Sequence, residues 1–134
     1  MSESLPGPWP RRFLVLACVF GAIAVALAAI GAHALADILV GKAAVRFDTA
    51  LRMHLIHAPA LLALAGAVHL ARPRWWLAAC SLMSLGTLVF CGGLYLAAIG
   101  TSNALLPIVP AGGSLLILSW LVAAVSFALG KRPA

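Results

Sequence analysis

Apolar residues form four long runs along the chain, and polar residues fall mainly between them. The runs cover residues 13–36, 53–71, 75–99 and 105–129. About 20 apolar residues in a helix are needed to cross the hydrocarbon core of a bilayer. Helix is the expected conformation because lipid offers no partner to an unpaired backbone group. The pattern predicts an all-α protein, an integral membrane four-helix bundle with residues 1–134 in a single four-span transmembrane domain.

The segment between the first two runs has a different pattern. Residues 37–52 mix apolar positions with charged ones, which is typical of a helix lying at the membrane surface. We therefore predict a short interfacial helix that begins after Gly41 and precedes span two. Asp48 and Arg52 are four residues apart, so their side chains are expected to form an ion pair.

Composition supports a membrane location. The chain is 64% hydrophobic and 9% charged, with a mean hydropathy of +1.11. Soluble domains are nearer half apolar and a quarter charged, so the excess apolar surface requires lipid. The net charge is +6, which is often a sign of nucleic-acid binding. The basic residues are scattered at the ends of apolar runs, however, and we expect no nucleic-acid partner.

The distribution of Lys and Arg predicts the orientation in the bacterial inner membrane. Cytoplasmic segments of membrane proteins carry an excess of these residues. Six of them fall in the two tails and the loop between spans two and three: Arg11, Arg12, Arg72, Arg74, Lys131 and Arg132. The opposite side has Lys42, Arg46 and Arg52, offset by Asp37 and Asp48. Both termini are therefore expected to be cytoplasmic.

Residue types needed for catalysis are scarce. The chain contains no phosphate-binding loop, no nucleophile elbow and no HExxH zinc motif. It has three acidic residues in total, and Glu3 lies in the N-terminal tail. Paired-carboxylate catalysis and carboxylate-rich sites for hard cations are thus disfavoured. We expect that the protein is not an enzyme.

Three histidines are the candidate site for chemistry. His54 and His57 are three residues apart on a helix and therefore share a face. His33 lies near the end of span one, at the same expected depth. Pro59 lacks an N–H, which leaves the carbonyl of Leu55 without its usual helix partner. Neutral imidazoles bind metals and haem and relay protons, but they also bond neighbouring helices together, and the pattern leaves these roles open.

Small residues recur at helical spacing within the spans. In span one they include Gly21 and Gly31, and in span three they include Gly86 and Gly93, which recur every seven residues. Small side chains let helix backbones approach closely, and this drives association in lipid. We expect these glycines to lie at helix contacts.

An ordered set of motifs resembles a known family. The motifs are Gly31-Ala32-His33-Ala34, Phe47-x-Thr49-Ala50, His54-x-x-His57, the segment from Gly86 to Tyr95, Pro110-x-Gly112-Gly113 and Trp120. Over nearly the whole chain, the sequence is similar to the YgdD/YwdK-like family of small inner-membrane proteins, domain of unknown function 423. The resemblance implies four membrane helices and no established activity. We expect Gly112 and Gly113, like the other glycines named above, to lie at helix contacts. The family pattern includes His33 and His57 and, in some members, His54.

The sequence favours a small inner-membrane protein that acts by helix association. It would serve as an accessory or scaffold component, surrounded by membrane lipid, in a homo-oligomer or a larger membrane complex. The alternative is a redox or ligand-binding protein that holds haem, a transition metal or a quinone at His33, His54 and His57. A small transporter is a weaker reading, since the spans contain no acidic residue to couple ions. The sequence names neither a cofactor nor a metal.

Overall fold

The computed structural model describes residues 7–130, and the regular structure in this range is helical. The four long helices are α1 (Trp9–Ala32), α2 (Lys42–Gly66), α3 (Pro73–Ala98) and α4 (Val109–Ala128). Short 3₁₀ turns, Val68–Leu70 and Leu106–Ile108, precede α3 and α4. The basic residues Lys131 and Arg132, used above to predict orientation, lie outside the described residues.

Three of the helices are long and apolar enough to cross a membrane. They are α1, α3 and α4, the last counted together with its preceding 3₁₀ turn as Leu106–Ala128. The second helix does not reach the same apolarity because its first half carries Lys42, Arg46, Asp48 and Arg52. Length and composition therefore identify three of the four predicted spans.

The separate interfacial helix predicted between spans one and two is not present. Residues 42–52 are instead the first turns of α2, which runs without interruption to Gly66. Gly41, in the left-handed region at φ +56°, makes the turn before it. The helix continues because residues 42–58 contain neither glycine nor proline. The expected ion pair of Asp48 with Arg52, 2.9 Å long, joins two turns of this one helix.

Each helix packs mainly against its neighbours in sequence. The main contacts join α1 to α2, α2 to α3, and α3 to α4. Trp76 joins α2 to α3 near the loop between them. Its indole N–H donates to the carbonyl of Leu64 at 2.8 Å. Trp76 is fully buried there, so it is a core residue rather than part of a membrane-surface belt.

The same loop is also joined to α4. The backbone N–H of Arg72 donates to the carbonyl of Ser126 at 2.9 Å, and the Ser126 hydroxyl donates to the carbonyl of Arg72 at 3.2 Å. Ser126 is fully buried. These bonds hold the C-terminal part of α4 against the start of α3.

Glycines mark the closest approach of α3 and α4. A Cβ on Gly112 would lie 2.6 Å from the backbone nitrogen of Phe90, and one on Gly86 would lie 2.9 Å from the side chain of Leu116. At Gly93, the nearest atom would be a Val109 methyl carbon at 2.6 Å. The helices approach closely at these three positions because no side chain separates them.

The other three glycines named from the sequence differ among themselves. Gly31 faces the ring of Phe47, and Gly113 faces the ring of Phe90. Gly21 does not lie at a close helix contact among the described residues, since none of their atoms outside its own helix backbone is within 4 Å of the position its Cβ would take. The buried face of α1 is formed by Phe13, Ala17, Phe20 and Ala24, and Gly21 lies one residue beyond that stripe.

We predict that Gly112→Ala destabilises the fold. The new methyl group would meet the backbone of Phe90, which cannot move aside without separating α3 from α4. Overpacking of this kind costs about 1–3 kcal/mol. The measurement is the thermal unfolding midpoint in detergent. Gly92→Ala is the matched control, because its Cβ would have no atom within 4 Å. Equal midpoints for both variants would contradict the close contact.

Candidate functional site

The second helix presents both of its histidines to the interior. His54 and His57 are buried, together with Ala50, Ala58, Leu61 and Ala65. Since α2 packs against both α1 and α3, these positions form its contact face. The two histidines therefore lie on the face of α2 that meets other helices.

Both ring nitrogens of His57 are used in hydrogen bonds. The indole N–H of Trp120, on α4, donates to Nε2 at 3.2 Å. An indole nitrogen can only donate, so Nε2 of His57 is the unprotonated acceptor. The other nitrogen, Nδ1, therefore carries the proton and donates to the carbonyl of Met53 at 2.7 Å. This neutral tautomer joins α2 to α4 and leaves no free lone pair for a metal.

His54 has one partner and one unpaired nitrogen. Its Nδ1 lies 3.3 Å from the hydroxyl of Tyr95 on α3. The ring of Phe20, on α1, packs edge-on against the imidazole with centroids 5.7 Å apart. Nε2 is buried and has no hydrogen-bond partner among the described residues. A buried polar atom left unpaired costs about 1–3 kcal/mol, so this nitrogen is the unsatisfied polar atom of the site.

His33 does not join the other two histidines. It caps the C-terminal end of α1, and its side chain is exposed. Gly31 packs on α2. His33 comes two residues later, which places it about 200° further around the helix. Within residues 7–130, no group of three or more His, Cys, Asp or Glu side chains is arranged to hold a metal ion. The expected three-histidine cluster is therefore not assembled as a metal site.

The proline of α2 lies apart from the histidines. Pro59 is exposed, and so is Leu55, whose carbonyl lost its helix partner to that proline. Both residues are on the outer face of α2, whereas His54 and His57 are buried. The freed carbonyl therefore does not contribute to the buried site.

The residue that sequence reasoning missed is Trp120. It was noted as part of a family motif and given no role. Its position is a signal, since it is a tryptophan near the middle of an apolar run and not at either end of it. Tryptophan in such a place needs an acceptor for its N–H. A histidine at similar depth on another helix is the natural candidate, and His57 fills that role.

We predict that Trp120→Phe lowers the free energy of unfolding by about 1 kcal/mol, the usual scale for a bond between membrane helices. The phenyl ring keeps the contact but cannot donate to His57. In a His57→Leu background the same substitution should have a smaller effect, and unfolding in detergent measures both. Trp75→Phe, at an exposed position on α3, is the control. Fully additive effects of the two substitutions would show that the bond contributes nothing.

Relatives of the chain are small membrane proteins. A membrane protein of Haemophilus influenzae from the group called UPF0382 is 35% identical over 111 residues, covering 83% of this chain and 89% of the relative. The Escherichia coli inner membrane protein YgdD is 30% identical over 122 residues, or 91% and 93% of the two chains. YwdK of Bacillus subtilis is 29% identical over 123 residues, or 87% and 95%.

The family match covers most of the chain. Residues 27–113 match the family described as "Protein of unknown function (DUF423)", and this segment runs from the end of α1 to the start of α4. It includes His33, His54 and His57 but ends before Trp120. No solved structure matches the chain. The chain belongs to the DUF423 family, whose members named above are UPF0382 membrane proteins.

Proposed function

We propose that the protein is a non-catalytic four-helix bundle that acts by associating with other membrane proteins. It would form a homo-oligomer or serve as an accessory or scaffold component of a larger inner-membrane complex. The observation that carries this proposal is the use made of His57. Both nitrogens of this residue, a leading candidate for chemistry from the sequence, are used in structural hydrogen bonds: Nδ1 within α2 and Nε2 between α2 and α4.

The open face of α1 supports association. Gly21 lies near the middle of this helix, and within residues 7–130 no atom from another helix lies within 4 Å of the position that its Cβ would take. Its neighbours Cys18 and Ala22 are exposed. In lipid, helices associate through small residues that allow close backbone contact. A second membrane helix placed against Gly21 would make such a contact.

We propose that α2 crosses the membrane as the second of four spans, with both termini cytoplasmic. The charged first turns of α2 come directly after the loop that follows α1. They are therefore at the end of the proposed span, where they can reach the membrane surface. Reporter fusions after Ala134 should therefore be active only as cytoplasmic reporters, and fusions in the loop near Asn103 only as periplasmic ones. One helix, α4, lies between the two fusion points, so both fusions reporting the same side would contradict a membrane crossing by α4. A periplasmic signal after Ala134 would overturn the orientation.

We expect association to depend on Gly21. The protein would be extracted from membranes with its lipid by an amphipathic polymer, and its mass measured. Wild type should exceed the mass of one chain, and Gly21→Leu should shift it toward a monomer. Gly66→Leu is the matched control, because both glycines have room for a side chain within the single chain. A monomeric wild type, or equal masses for all three proteins, would contradict the proposal.

A second candidate function is favoured by one observation, the unpaired Nε2 of His54. A haem, a transition metal or a quinone would then be bound through this single histidine, since His57 is committed and His33 is exposed. The absorption spectrum, metal content and extractable quinone of the same purified samples distinguish the two functions. A stoichiometric chromophore or metal that is lost in His54→Leu would favour the second candidate over association.

A further inference from the structure

A groove runs between α2 and α4, which both pack on α3 but are not in continuous contact with each other. Its larger compartment has a volume of about 450 Å³ and is lined by Met53, His57, Pro110, Ser114, Ile117 and Trp120. A second compartment of about 250 Å³ continues past Trp120, with Ala60, Ala63 and Ala67 on its α2 wall and Met83 from α3. The groove therefore follows the two helices for several turns.

The walls of the groove present no unpaired side-chain polar group to an occupant. The Ser114 hydroxyl donates to the carbonyl of Pro110 at 3.0 Å. His57 uses both ring nitrogens, and the Trp120 N–H is bonded to it. A polar ligand inside the groove would lose its water and find no partner in return. The occupant of the groove itself must therefore be hydrocarbon.

The groove is too narrow for a helix but wide enough for a single acyl chain. Trp120 extends from α4 to His57 on α2, so one indole ring bridges the space between the helices. A helix with its side chains is about 10–12 Å across and cannot lie beneath that bridge. A flexible acyl chain can lie in the larger compartment against Trp120.

A positive charge lies at one end of the groove. Arg46 precedes Met53 by seven residues, two helical turns, and is therefore on the same face of α2. The rise between them is about 10 Å along the axis. Its guanidinium contacts a neutral group, the side-chain oxygen of Asn103 at 3.4 Å. Arg52, by comparison, is paired with Asp48. Arg46 is thus placed to bind the phosphate of a lipid whose chain enters the groove.

We propose that the groove between α2 and α4 is a binding site for one phospholipid, with an acyl chain in the groove and the phosphate on Arg46. The site uses the membrane position proposed for α2, and it does not depend on association through α1. A monomeric protein would retain it.

The test is native mass spectrometry of the protein in mild detergent with a phospholipid added at increasing concentration. Wild type should retain one phospholipid per chain. Arg46→Gln should weaken binding about fivefold, the effect of one basic residue at a membrane surface. Arg52→Gln, on another face of α2, should leave it unchanged.

A second pair of variants tests the groove itself. Ala60→Phe would fill the second compartment and should reduce lipid retention, whereas Ala22→Phe, exposed on α1, should not. Retention by wild type that no variant changes would mean only a general lipid coat and would overturn the site. Retention of a free fatty acid or a quinone in place of phospholipid, or a second protein chain that lipid cannot displace, would also overturn it.

Discussion

Polar groups inside membrane helices must find their partners within the protein, and this constraint organises the interior of the molecule. Serine and threonine hydroxyls in α3 meet it locally, as Ser84 and Thr87 donate to carbonyls one turn earlier. Histidine and tryptophan cannot all do so, because their ring atoms reach beyond the helix that carries them. His57, Trp76 and Trp120 therefore bond between helices: Trp76 joins α3 to α2, and the bond of Trp120 to His57 joins α4 to α2.

The helical class of the protein could be predicted from apolar runs alone, since run length is a direct measure of what lipid requires. The structure departs from that prediction where the pattern is mixed, in residues 37–52. An amphipathic segment fits equally well as a surface helix or as the first turns of a spanning one. The choice depends on whether a helix breaker separates it from the apolar run, and here none does between Lys42 and Ala58.

The candidate site was predictable in part. Spacing on one helix places His54 beside His57, because helix geometry fixes that relation. The relation of His33 to them depends on where α1 ends and how it is rotated, and neither follows from the distance along the chain. Trp120 is 63 residues away from His57 in sequence. To predict such a contact, one must know which helices are neighbours, and the pattern of apolar residues does not give that information.

The bond between His57 and Trp120 also has a consequence for biosynthesis. Chains are made from the N-terminus, so α2 leaves the ribosome before the helix that carries the donor for His57. Until α4 arrives, Nε2 of His57 has no indole partner, and α2 is also the helix with the most charge. The hydrogen bonding of His57 on α2 is thus complete only after α4 has been made. A chain that stops after α3 would leave Nε2 of His57 without the indole donor that pairs with it in the complete fold.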